Sequence, residues 1–163
     1  MQIPPKRLLE MDAKRIFQPK IWLLVFALVH TLGMSADLLP VLTDEDAAST
    51  HLGNTVNESL GEDGSAIEAY QSGMSQVYGI GLSWTIILVG GAFWTRGKSQ
   101  AQLSVLFGGG LFVTGLTLGV MGSMVGDGFD VFAFVMTSLF AAPIIASGVL
   151  HLEDDDEESA VDA

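Results

Sequence analysis

Four stretches of this sequence contain no Lys, Arg, Asp or Glu: residues 21–36, 69–95, 99–126 and 131–152. A helix rises 1.5 Å per residue, so about 20 residues cross a hydrocarbon core of about 30 Å, and each stretch is long enough or nearly so. The charged residues, 16% of the chain, are confined to the segments between. A soluble domain scatters its charges over the whole surface, so this pattern predicts an all-α, four-helix transmembrane bundle.

The cations give the bundle a direction. Lys6, Arg7, Lys14, Arg15 and Lys20 precede the first stretch, and Arg96 and Lys98 lie in the gap between the second and third. All seven therefore fall on one side, which by the positive-inside rule places both termini in the cytoplasm of a cell with the protein in its plasma (inner) membrane. Aromatic residues agree with this orientation: Trp22 and Trp94 sit at the inner interface, with Tyr70, Tyr78 and Phe129 near the outer one. A cleaved signal peptide is the competing reading of the amino-terminal segment, but Met34, two positions before a cut at Ala36, is not the small residue a cleavage site needs.

The spans are expected at about 21–39, 76–95, 101–125 and 131–152. Residues 1–20 form a cytoplasmic arm or a short interfacial helix, with Leu9, Ala13, Ile16 and Phe17 on one face and Lys6, Glu10 and Lys14 on another, broken by Pro19. Pro40 is expected to end the first span. Residues 41–75 form an acidic outer loop in which Gly53, Gly61 and Gly64 interrupt any long helix, leaving a short helix at 65–71. Asn57-Glu58-Ser59 matches a glycosylation sequon, relevant only in a eukaryotic secretory pathway. The connections at 96–100 and 126–130 force the last three spans into antiparallel hairpins. Residues 153–163 carry seven carboxylates and no cation, and are read as a disordered acidic cytoplasmic tail.

Small residues at four-residue spacing provide for close helix packing inside lipid. The candidates are Gly79 and Ser83 in the second span, Gly115, Gly119 and Ser123 in the third, and Ser138 and Ala142 in the fourth. They serve packing within the chain or self-association between copies. Pro143 frees the carbonyl of Leu139, which Thr137 or Ser138 can help satisfy.

The net charge of −12 argues against nucleic acid as a partner, and the inner cations suit anionic lipid head groups. With no cysteine there is neither disulfide nor thiolate chemistry. His30 is the one ionisable residue near the middle of a span, and with Met34 and Asp37 it occupies positions i, i+4 and i+7 on roughly one helix face. That face is a candidate intramembrane polar site, able to pass a proton, hold a metal transiently or ligate a haem or chlorin. The plainer reading is a neutral His30 bonded to Thr85, Thr114 or Thr117. A bis-histidine haem is disfavoured, because His51 falls in the outer loop and His151 at the inner end of the fourth span. Met34, Met74, Met121 and Met124 gather toward the outer side, where thioethers serve soft-metal binding or, more commonly, packing. Asp127 and Asp130 flank Gly128 in the last outer turn. Gly108, Gly109 and Gly110 lack the Lys and strand context of a phosphate loop. No catalytic residue, resident metal or cofactor is assigned.

The run Tyr78-Gly79-Ile80-Gly81-Leu82, followed by Leu106-Phe107-Gly108-Gly109 and by Asp127-Gly128, loosely resembles small uncharacterised four-span bacterial membrane proteins over about the second half of the chain. Such proteins often carry an Arg in the third span, which this chain lacks. The resemblance implies four helices and no particular activity. Abundant packing chemistry with little catalytic chemistry leads to the expectation of a non-catalytic accessory or assembly subunit of a larger membrane complex, in contact with lipid and with other subunits or copies of itself. The alternative is an oligomeric proton or cation transporter or channel using His30 and Asp37. A haem- or pigment-binding redox protein is a third reading.

Overall fold

The structure, a computed structural model, describes residues 13–124 and 128–153. Residues 1–12 of the expected arm, Asp127, and the acidic segment from 154 onward lie outside the described residues, as does the side chain of Ser123. The described chain is helical, with no strand. Among the described residues five α-helices longer than the turn at 13–16 run in order: α1 (Pro19–Thr43), α2 (Glu45–Thr55), α3 (Gly64–Trp94), α4 (Gly97–Met124) and α5 (Val131–Leu150), with a 3-10 turn at Glu58–Glu62 between α2 and α3. Four of the helices are long and apolar enough to cross a membrane, α1, α3, α4 and α5.

Residues 13–16 form a helical turn, the chain bends at Phe17 and Gln18, and Pro19 opens α1. A proline fits there because the first helical N–H has no partner to lose. The carbonyl of Gln18 accepts from the N–H groups of Ile21 and Trp22 at 3.1 and 3.2 Å. At the other end the expected stop at Pro40 is not observed, and α1 continues through it to Thr43. Proline removes one donor, but with only one turn left to complete the cost is small. The Pro40 carbonyl still accepts from Asp44 N–H at 3.0 Å, and Thr43 Oγ1 donates to the Leu39 carbonyl at 2.7 Å.

The segment expected as an irregular acidic loop folds into α2 and the 3-10 turn. Three short polar side chains start its elements by accepting backbone N–H groups that no helical carbonyl can reach. Asp44 takes Asp46 and Ala47 at 2.9 and 3.4 Å. Asn57 takes Ser59 at 3.0 Å. Asp63 takes Ser65 and Ala66 at 2.9 and 3.4 Å, and also the Ser65 hydroxyl at 2.7 Å. Gly53 and Gly61, expected to break helices, instead let two backbones meet. A Cβ on Gly61 would sit 2.8 Å from the Ser49 carbonyl oxygen and 3.4 Å from Gly53 Cα, and Ser49 Oγ donates to the Gly61 carbonyl at 2.6 Å.

The expected short helix at 65–71 and the expected span beginning at 76 are one continuous helix, α3, of 31 residues. At 1.5 Å per residue its length is roughly 46 Å, well beyond a hydrocarbon core. Its first turns take part in an apolar cluster in which Val41, Ala48, Leu52 and Ile67 are buried and Tyr70 and Met74 pack alongside. That cluster fixes α2 to the ends of α1 and α3.

The chain divides into two compact units, residues 27–88 and residues 1–26 with 89–163. In the second unit α4 and α5 form an antiparallel pair along their whole length. Gly148 faces Ala101 and Val105, Gly108 faces Ala141 and Ile145, and Gly115 faces Phe134 and Thr137. The α3–α4 turn is made by Gly97, at φ +50°, and Gln100 closes it by donating to the carbonyls of Ala92 and Thr95 at 2.9 and 3.0 Å. The α4–α5 turn uses Gly128, at φ +78°. There Asp130 donates its N–H to the Gly119 carbonyl at 3.1 Å, and its carboxylate accepts from Ala133 N–H at 2.9 Å.

Candidate functional site

In the unit formed by residues 27–88, α1 and α3 run antiparallel and are joined by a seam of polar side chains. Thr31 and Thr85 meet hydroxyl to hydroxyl at 2.8 Å, and Ser35 Oγ meets the Tyr78 hydroxyl at 3.1 Å. Gln71 Nε2 donates to the Val41 carbonyl at 2.9 Å. From Thr31 to Val41 the seam rises roughly 15 Å along α1. In apolar surroundings such bonds between helices help to hold the two in register.

His30 and Met34 lie beside this seam. Both are half-buried, and they face Gly81 of α3. A Cβ at Gly81 would lie 3.4 Å from His30 Nε2 and would collide with the Met34 sulfur, so glycine there makes room for both side chains. The three threonines expected near His30 each donate to a carbonyl of their own helix. Thr85 bonds Thr31 and the Gly81 carbonyl, Thr114 donates to Gly110, and Thr117 donates to Val113.

Asp37, expected to share a face with His30 and Met34, is exposed and lies near the end of α1. Its carboxylate lies 3.8 Å from His51 Nε2, an ion pair whenever His51 is protonated. The other ring nitrogen of His51, Nδ1, lies 2.8 Å from the Tyr70 hydroxyl. Thr55 adds its hydroxyl 3.3 Å from the same Tyr70 oxygen and donates to the His51 carbonyl. A carboxylate from α1, an imidazole from α2 and a phenol from α3 thus stand in line. Beside them Asp37, Asp46, Thr50, His51 and Asn54 line an open groove of about 420 Å³. The arrangement ties three helices together through the His51–Tyr70 hydrogen bond, with Asp37 within ion-pair range of the imidazole but, at 3.8 Å, beyond a hydrogen bond. Among the described residues no group of three His, Asp or Glu is placed to hold a metal ion.

The small residues expected to pack helices divide into two sets. Gly115 lies against Thr137, and Gly119 against the Phe129 ring. Ser138 Oγ is buried and has no hydrogen-bond partner among the described residues. Gly79 has no heavy atom within 4 Å of where a Cβ would stand, Ser83 is exposed and bonds only back to the Gly79 carbonyl at 2.9 Å, and Ala142 is exposed. Backbone of the facing helix also comes close at Gly108, which four-residue spacing pairs with Ser104, and at Gly148, which lies outside the expected stripes. Neither Thr137 nor Ser138 reaches the Leu139 carbonyl that Pro143 frees: Thr137 donates to the carbonyls of Ala133 and Phe134 at 2.8 and 3.0 Å, and Ser138 Oγ has no hydrogen-bond partner among the described residues.

No known protein family, curated protein or solved structure matches this chain.

Proposed function

We propose that the chain is an integral membrane protein, oriented with both termini in the cytoplasm, that works as a non-catalytic accessory or assembly subunit of a larger membrane complex. The membrane part of this reading is supported by where the apolar surface lies. Only 17 to 22% of the apolar windows of the four long helices is buried, and Leu106, Ile86 and Phe132 are 75, 68 and 76% exposed. Water does not tolerate so much contiguous apolar surface, whereas lipid does.

The observation that carries the subunit role is a strip of small and polar residues left uncovered on α3. Ser72, Gln76, Gly79 and Ser83 repeat at helical spacing, all are exposed, and Val77, Ile80, Ile86 and Ile87 beside them are exposed too. A glycine inside a helix costs about 1 kcal/mol relative to Ala, and in a bilayer the compensation is close approach by a neighbouring helix. At Gly79 no described residue provides such a neighbour. The face therefore suits a helix of another subunit or of a second copy.

Capture from native membranes in a mild detergent, with crosslinking before extraction, tests this reading. The wild-type chain is expected to carry a partner, and Gly79→Leu with Ser83→Leu to lose most of it while still inserting and folding. Recovery of the wild-type chain only as a free monomer at native expression would sink the proposal.

A further inference from the structure

The groove beside the Asp37, His51 and Tyr70 line lies wholly within the unit of residues 27–88. One wall is the end of α1, with Asp37 and Pro40, and the other is a face of α2 on which Asp46, Thr50 and Asn54 follow one another at four-residue spacing with His51 beside them. From Asp46 to Asn54 that face rises roughly 12 Å. Its polar groups are not taken up by the fold. Whereas the carboxylates of Asp44 and Asp63 cap helices, the Asp46 carboxylate, the Thr50 hydroxyl and the Asn54 amide make no hydrogen bond with a described residue. Nor is the charge compensated, because residues 27–88 contain no Lys or Arg. His51, when protonated, is the cation within ion-pair range of Asp37, at 3.8 Å.

The level of the groove on the helices narrows the choice of occupant. Ser35 stands opposite Tyr78 and Val41 opposite Gln71, which puts Asp37 near the level of Gln76. On one side of that level are the exposed apolar side chains of Leu32 on α1 and Val77 and Ile80 on α3, and on the other is the acidic segment. In a bilayer, the step from apolar to charged surface falls at the lipid head groups. The groove therefore opens where a head group lies.

We propose that this groove binds the head group of a phosphatidylethanolamine, with its ammonium held by Asp37 and Asp46. A primary ammonium brings one positive charge and three N–H donors, and carboxylate oxygens and the Thr50 hydroxyl can accept them. A choline head group has the charge without the donors, and an anionic head group meets like charge. Exposed ion pairs are singly weak, but a lipid present at a high share of the bilayer fills such a site by mass action. The proposal rests on the membrane reading of the chain and is independent of its subunit role.

Native mass spectrometry of the full chain tests this, after reconstitution in nanodiscs of equal parts phosphatidylethanolamine, phosphatidylcholine and phosphatidylglycerol and transfer to a mild detergent. Phosphatidylethanolamine is expected to stay on the wild-type chain on the order of threefold more than either other lipid. Asp46→Asn alone should reduce that preference, and Asp37→Asn with Asp46→Asn should remove it. Because the Asp46 carboxylate bonds to no described residue, the single variant probes the groove without disturbing the packing of α2. Equal retention of phosphatidylethanolamine and phosphatidylcholine overturns the proposal, as does a preference for phosphatidylglycerol or one that survives in the double variant. Adducts of added phosphoethanolamine that form as readily as those of the lipid give the groove to a soluble amine and overturn the lipid as its occupant. A chain that does not enter nanodiscs overturns the membrane reading and the proposal with it, whereas every other outcome leaves that reading standing.

Discussion

A glycine in this chain means different things at different places, and the difference is measurable. At Gly148 an added methyl group would stand 2.6 Å from the Ala101 carbonyl oxygen, 2.6 Å from Val105 Cγ2 and 2.9 Å from Val105 N, so backbone atoms of α4 would have to move. At Gly79 the same methyl group meets nothing within 4 Å. Overpacking of a tight contact costs about 1 to 3 kcal/mol, whereas Ala in an open helical position is favoured over Gly by about 1 kcal/mol. Gly148→Ala is therefore expected to lower the unfolding midpoint in a denaturing-detergent titration of the isolated chain, and Gly79→Ala to leave it unchanged or raise it. Equal effects at the two positions would contradict the α4–α5 packing. The spacing of small residues in the sequence pointed to Gly115 and Gly119, which do pack, and equally to Gly79 and Ala142, which do not. Spacing places residues on one helix face without saying which face meets a neighbour. His51 illustrates a deeper limit, since its bond to Tyr70 spans 19 residues and exists only because α2 folds against α3.

At the scale of the element, the start of α3 depends on a single carboxylate. Hydrogen bonds from the Ser65 hydroxyl, the Ser65 N–H and the Ala66 N–H hold the pKa of Asp63 below its ordinary value of 3.8. A carboxylate with a depressed folded pKa contributes stability that is fully present above the unfolded value and is lost as pH falls through the folded one. The first turn of α3 is accordingly expected to keep slow amide exchange at neutral and mildly acid pH, after correction for the intrinsic rate, and to fray only below about 3.8. Asp63→Ala should fray it at every pH and abolish the dependence; a wild-type first turn whose protection did not change through that range would refute the cap's role. This element also shows what could be read in advance. The long apolar helices follow from charge-free runs that leave little choice of structure. The fold of residues 44–63 escaped because its glycines were weighed as helix breakers, while the start signals at Asp44, Asn57 and Asp63, each followed two residues later by the N–H it captures, were in plain view. Tertiary contact then decided the matter: with Gly61 lying on Gly53 and Ser49, and Leu52 and Ile67 buried together, α2 gains enough to form despite an interior glycine.

For the whole molecule, the consequential question is which side of a membrane each end of α3 occupies. Its first turns lie beside the Asp37, His51 and Tyr70 line, among carboxylates, and its last turn lies beside Arg96 and Lys98. If cation placement governs insertion, the carboxylate-rich end faces out and the cationic end faces the cytoplasm. The sequence has no cysteine, so any cysteine introduced is the sole thiol and reports one position without background. Glu62, at the end of the 3-10 turn, and Ser99, just past the α3–α4 turn, are both exposed and make no side-chain hydrogen bond with a described residue, which makes them neutral places to put it. In intact cells a membrane-impermeant maleimide is expected to label Glu62→Cys at once, and Ser99→Cys only after permeabilisation. The reverse pattern would invert the orientation, and with it the assignment of Arg96 and Lys98 to the cytoplasmic side. Labelling of both positions without permeabilisation, with the chain recovered in the soluble fraction, would remove the membrane reading altogether, because no bilayer would then separate the two ends of a helix about 46 Å long.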